Sequence, residues 1–226
     1  DQGWGDTGYN GHPELKTPHL DRLAADGVRF DRFYAAAPVC SPTRGSCVTG
    51  RHPYRYGIFF ANVGHLPPEE ITLAEALKPQ GYATGHFGKW HLGTLTTDII
   101  DGRRGGREDQ REHYSPPWEN GFDECFSTEV AIPTWDPMRD QGFESKYWTG
   151  PGTWATENLE GDDSRVIMDR ALPFIERQAQ SDTPCLAVLW FHTPHSPVRA
   201  GPEYRRQYAH CSENEQHYYG CLTAMD

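Results

Sequence analysis

Cys40, Arg44, Lys89, His91 and His195 are the residues whose types and spacing suit chemistry. In Cys40-Ser41-Pro42-Thr43-Arg44 the proline fits the first turn of a helix, where its missing N–H is not needed. Cys40 then lies at a helix N-terminus, where free amides and the dipole favour an anion. Arg44 sits one turn further on and leans back toward the same point, with a charge that does not titrate. A nucleophile beside cationic and amide donors is what a tetrahedral oxyanion needs. In Gly88-Lys89-Trp90-His91-Leu92-Gly93, Lys89 and His91 are two apart and point to one side if the chain is extended. Lysine brings a point charge for an anionic oxygen, and histidine a hydrogen bond or a proton. Each residue alone has a plain structural explanation, as a buried thiol, an exposed lysine or a core histidine. Their combination argues for a site.

The elements that must carry them can be read from pattern. Thr17-Pro18 opens a helix, with Thr17 as N-cap, that Gly27 ends, and Val28-Arg29-Phe30 reads as a short strand. Thr72 caps a second helix through Leu77, closed by Gly81, and Tyr82 to Phe87 reads as a strand. From Leu95 to about Asn158 the periodicity fails, and Gly102-Arg103-Arg104-Gly105-Gly106-Arg107 is loop chemistry. A loop-rich insertion of this length is often functional. Ser164 to Gln178 is apolar at helical spacing, with Asp162 and Asp163 at its start and a kink or break expected at Pro173. Cys185 to Phe191 is a continuous apolar run, typical of a strand buried on both faces. His192-Thr193-Pro194-His195-Ser196-Pro197 follows it, where ligands bind in α/β sheets. Ser212-Glu213-Asn214-Glu215 is a capping box opening a last helix. Strands alternating with helices indicate an α/β fold with a mostly parallel central sheet flanked by helices.

The 226 residues suffice for one sizeable core. With 7 Trp, 11 Tyr and 10 Phe the chain is not of disordered composition. A net charge of -11 speaks against a sequence-independent grip on nucleic acid or an anionic membrane, so an anionic substrate must be drawn by a local cationic pocket. No apolar run is long enough to span a membrane. The six cysteines form no CxxC pair, and Cys211 and Cys221 are expected in a core rather than a bridge. His52, His65, His86, His113, His210 and His217 have no motif support and read as structural or surface residues.

Cys40-x-Pro42-x-Arg44, with Thr49-Gly50-Arg51 at this distance, resembles the signature of type I sulfatases of the alkaline phosphatase superfamily. The fourth position is usually Ser or Ala there, and Thr43 departs from that. The resemblance implies that Cys40 is oxidised to formylglycine, whose hydrate attacks a sulfate ester, with Arg44, Lys89, His91 and His195 as catalytic residues. Gly88 to Gly93 closely resembles the family's second signature, and Pro194-His195-Ser196-Pro197 its Pro-His-x-Pro element. The segment Asp1-Gln2-Gly3-Trp4-Gly5-Asp6, followed by Thr17-Pro18-His19-Leu20-Asp21-Arg22, is similar to the family's N-terminus. There two consecutive aspartates bind calcium, and Asp1 matches the second. This implies Ca²⁺, or Mg²⁺, on Asp1 and residue 40. Ser127, Trp135 and His192 are the residues expected to meet substrate, Trp135 by stacking on a sugar.

The family's later Asp-Asn-Gly motif and second active-site lysine are not among these residues. Residues 1–226 are therefore expected to be a partial catalytic domain, without the family's first strand and C-terminal part, carrying the insertion at about 95–160. The implied function is hydrolysis of sulfate monoesters, on a sulfated small molecule or a saccharide. A formylglycine-generating enzyme would mature the protein, in a periplasmic or secreted setting. Two alternatives stay open: a phosphonate monoester or phosphodiester hydrolase of the same superfamily, and a non-catalytic carbohydrate-binding relative.

Overall fold

Along Cys185–Trp190, Leu186, Val188 and Trp190 join one apolar cluster, while Cys185, Ala187 and Leu189 join another. That alternation is the two-residue period of a strand with a packed layer on each face. The computed structural model describes residues 1–226. Its sheet comprises β1 (Ala83–Lys89), β2 (Glu124–Thr128), β3 (Trp148–Gly150), β4 (Thr153–Trp154) and β5 (Cys185–Trp190), in the order β4-β3-β2-β1-β5. β1 is parallel to both β2 and β5, with Phe87 opposite Phe126 on one side and Leu189 on the other. β3 and β4 add a short antiparallel edge. The α/β expectation holds, with a parallel centre.

The helices are α1 (Pro18–Asp26), α2 (Cys40–Thr49), α3 (Pro53–Tyr56), α4 (Leu73–Leu77), α5 (Asp163–Gln180), α6 (Pro202–Arg205) and α7 (Glu213–Met225). One face of the sheet meets α2, α3 and α4 through Val48, Tyr56 and Ala74, around Trp90 and Phe122. The other meets α5, whose Val166, Ile167, Ala171 and Phe174 cover Phe87 and Phe126. Full burial of such a side chain is worth about 1.5–3 kcal/mol, so the α5 stripe is a major contributor to holding the sheet. A third cluster sets Leu15 against Tyr208, Cys221 and Leu222, joining the first residues to α7. The capping boxes at Thr72 and Ser212 form as their spacing indicates. All six cysteines are free thiols, and Cys221 lies in the core. No helix is long and apolar enough to cross a membrane.

Several local expectations are corrected. Val28-Arg29-Phe30 forms no strand; it has no pairing partner, and Val28 and Phe30 are 83% and 73% exposed. β5 is half-buried, because it pairs only with β1 and forms an edge of the sheet. α5 runs through Pro173 unbroken, its apolar stripe packed on either side of the lost N–H. The irregular-looking stretch after Leu95 contains β2, β3 and β4. Thr17 is the N-cap residue of α1, as expected, but its side chain makes no capping bond; its hydroxyl donates to Asp21 and accepts from the Gly8 amide. The open amides of His19 and Leu20 are met instead by the Asp226 carboxylate at 3.0 and 2.8 Å.

Candidate active site

The carboxyl ends of β1 and β5 and the start of α2 converge, and the chemistry-bearing residues lie at that junction. Cys40 is the first residue of α2, and Val39 before it is extended and supplies no side-chain cap. The cysteine therefore meets helix amides that no side chain claims. Gly45 seats the helix: a Cβ there would lie 2.7 Å from the Tyr56 ring.

Arg44 turns back from α2 to the sheet. Its Nη1 donates to the Lys89 carbonyl at 2.6 Å, and its guanidinium lies 4.8 Å from the Trp190 ring centroid. Its Nε is buried and has no partner. Burial lowers its pKa to about 10, which leaves it cationic at neutral pH. Lys89 ends β1, is 2% exposed and faces Cys40. Burial first, and then Arg44, bring its pKa down to about 8, against the pull of Cys40. Gly88 makes this approach possible. It has a φ of +106°, and a Cβ there would lie 2.1 Å from the Trp190 carbonyl oxygen.

Neither Arg44 nor Lys89 has a carboxylate partner, whereas Arg51 pairs with Glu70 and Arg104 with Glu129. Buried charges are normally compensated, so the buried Lys89 and the partly buried Arg44, both without a carboxylate and beside one thiol, make an anion site.

His91 reaches the same cleft by a different route from the one its spacing suggests. It has a φ of +59°, so Lys89 and His91 converge through a left-handed kink rather than along an extended strand. Its Nε2 lies 2.8 Å from Asn62 Oδ1, and its Nδ1 is buried without a partner. Burial, Lys89 and Arg44 hold its pKa well below the ordinary imidazole range, so the ring is neutral. His195 donates Nδ1–H to the Ser196 carbonyl at 2.7 Å, which leaves Nε2 free at the cleft, 3.7 Å from Asp1. Burial and Lys89 lower its pKa too. Asp1 lies with Arg44 and Cys40 along an adjoining cavity. Its segment is tied down through Asp6, which accepts from the Gly3 amide and the Tyr218 hydroxyl.

The cleft holds about 320 Å³, near the lower end of ligand pockets. It brings together Cys40, Lys89, His91 and His195, and adds Asn62 and Arg103, which sequence reasoning had passed over. Asn62 left one trace, as an amide inside the apolar run Ile58 to Val63. Arg103 was visible only as part of a Gly/Arg loop.

Three expected substrate contacts are not at the cleft. Ser127 is fully buried in β2 and hydrogen-bonds His86 Nδ1 at 2.7 Å. His192 is buried with Nδ1 2.7 Å from Asp163 and Nε2 2.8 Å from Thr128, so both ring nitrogens are occupied. Its carbonyl accepts from the His195 amide at 2.7 Å, which makes it a support for the histidine above it. Trp135 packs its ring on Gly201, where a Cβ would come within 2.3 Å, and cannot offer that face to a sugar.

Comparison with known proteins shows the family to which the chain belongs. The chain matches the family model described as Sulfatase over residues 1–226. It is 35% identical to an ulvan-active sulfatase of Formosa agariphila, over 97% of this chain and 42% of that protein. It is 34% identical to N-acetylgalactosamine-6-sulfatase of Canis lupus familiaris, over 88% of this chain and 39% of that protein. The solved structure of Ps i-CgsB shares the fold, with a TM-score of 0.77 at 23% identity, over 100% of this chain and 50% of that one. The chain thus spans about two fifths of the length of these curated relatives. With its Cys40 and Lys89 motifs meeting in one cationic cleft, the chain belongs to the sulfatase family.

Proposed function

We propose that the protein containing this chain hydrolyses sulfate monoesters, with residue 40 as the nucleophile after conversion of its thiol to formylglycine. The observation that carries the reading is the pair of carboxylate-free cations beside Cys40, the buried Lys89 and the partly buried Arg44. In the matured protein residue 40 would present a hydrated aldehyde, one hydroxyl of which attacks sulfur. Lys89 and Arg44 hold sulfate oxygens and offset the charge that gathers on them as the O–S bond breaks. His195 holds Nδ1–H on the Ser196 carbonyl, so in its imidazolium form it is placed to give a proton from Nε2 to the departing alcohol oxygen. His91 is neutral and keeps an unpartnered Nδ1, so it can take a proton from residue 40 when sulfate is released.

Asp1 suits a hard divalent cation, Ca²⁺ or Mg²⁺, and its carboxylate lies beside residue 40. Such ions take about six to eight oxygens, so these two residues form part of a shell. Bound there, the cation would lower the pKa of the attacking hydroxyl. The substrate is proposed to be a sulfated saccharide, in keeping with the sugar sulfatase among the relatives, and the setting periplasmic or secreted. Peptide mass spectrometry of residue 40 and a matched assay on an aryl sulfate and an aryl phosphodiester test the reading. Conversion of Cys40 with preference for the sulfate supports it; an unconverted thiol, or cleavage of the phosphodiester alone, overturns it.

A further inference from the structure

Arg103 is a cation at the cleft that the reaction above does not use. It is exposed, lines the same cleft as Cys40 and Lys89, and forms no ion pair with any carboxylate. Its charge is close enough to contribute to the lowered pKa of Lys89. The guanidinium lies 4.8 Å from the centroid of the Phe143 ring. Stacking of this kind orients the planar group and leaves its edge donors free for an oxyanion.

The two loops that carry this pair are built to hold it. Glu129 is fully buried and accepts from the amides of Arg104 at 3.0 Å and Gly105 at 2.9 Å. Arg104 itself is committed elsewhere, to the Gly64 carbonyl at 2.6 Å. The Gly102 amide donates to the Glu144 carbonyl at 2.5 Å, and the Lys146 amide donates to Asp101 at 3.0 Å. Gln141 accepts from the Ser145 amide at 2.8 Å and closes the second loop around Phe143. An arginine carried merely for solubility would not need a buried glutamate beneath its loop and an aromatic ring under its guanidinium.

We infer that Arg103, seated on Phe143, is a specificity-determining residue that binds a second anionic group of the substrate. That group is a carboxylate or a further sulfate on the sugar next to the one being desulfated. The inference rests on the sulfatase reading for the identity of the first group. A planar fork matches the paired oxygens of either anion.

The test compares three substrates on the intact, matured protein: a neutral monosulfated disaccharide, the same disaccharide with a uronate, and one with a second sulfate. Binding of the three to the unconverted Cys40→Ala protein is measured in parallel by calorimetry. Arg103→Ala should reduce kcat/KM, and affinity, for one of the doubly anionic sugars by about 10–100-fold relative to the neutral one. Arg103→Lys should recover only part of it, and whichever sugar responds identifies the anion. Equal losses on all three sugars, or none, would overturn the inference without touching the sulfatase reading. Absence of ester cleavage by the unsubstituted protein would instead count against the sulfatase reading, and the binding comparison would still decide the role of Arg103.

Discussion

His91 Nε2 and Asn62 Oδ1 lie 2.8 Å apart, and this contact sets the tautomer of a ring at the cleft. An amide oxygen accepts, so Nε2 carries the proton and the buried Nδ1 keeps its lone pair. Asn62 also has a φ of +61°, so glycine is the replacement that keeps the backbone. Asn62→Gly should lower kcat on an aryl sulfate by roughly 10–100-fold with little change in KM. Asn62→Asp should place a charge beside the ring, raise the His91 pKa and move the acidic limb of the pH–rate profile upward. An unchanged profile in Asn62→Asp would separate the pair from the chemistry.

Arg44→Lys is expected to behave as a loss rather than a conservative change. A lysine keeps a charge but gives up the stack on Trp190 and the bond from Nη1 to the Lys89 carbonyl. Activity should fall by about 10²–10³-fold, as for removal of one transition-state donor. Steady-state kinetics, with thermal melting as the control for folding, measures it.

Stability should decline as pH rises from mildly acid to neutral. Burial lifts the Asp101 carboxyl to about 6, Glu129 to about 7 and Asp162 to about 7. Each is raised above its unfolded value, so the folded state binds more protons between roughly pH 4 and 7 and loses that advantage as these groups ionise. Glu129→Gln keeps an acceptor for the two loop amides and removes the titration. It should flatten the decline by on the order of 1–3 kcal/mol, read from urea unfolding at pH 5 and pH 8.

Trp135 and His192 should matter to stability and not to recognition of sugar. Removing one partner of the buried His192–Asp163 pair strands a polar group, at a cost of about 3–5 kcal/mol. Trp135→Ala opens space against Gly201 and should cost about 2 kcal/mol. Melting temperatures should fall in both variants. A raised KM in Trp135→Ala, with Tm unchanged, would return the tryptophan to the cleft.

What could be read in advance followed from local rules. The helix at Cys40, the capping boxes at Thr72 and Ser212, and the strand before Lys89 are set by neighbours a few residues away. β2 was missed because Glu124–Thr128 alternates too little for its length, and its partner β1 lies 39 residues upstream in the pairing of Gly85 with Glu124. The strand at Val28 was expected from its residue types and does not form, because pairing, not propensity, makes a strand. At the site, the groups that bind charge were legible from motif chemistry. Asn62 and Arg103 were not, since their roles come from loops that meet only in three dimensions. Ser127, Trp135 and His192 had suitable side chains, and only the packing around them shows that those side chains are already occupied.

The Asp226 carboxylate at the start of α1 bears on the order of assembly. It ties the two extremities of these residues together, along with the Tyr208 hydroxyl that accepts from the Lys16 amide at 2.9 Å. Lys16, His19 and Leu20 thus acquire these partners only after some two hundred later residues have been threaded into place. A cut ahead of α7 would remove Asp226 and Tyr218, and with them the bonds that hold Asp6, His19 and Leu20, while the tie from Lys16 to Tyr208 would stay.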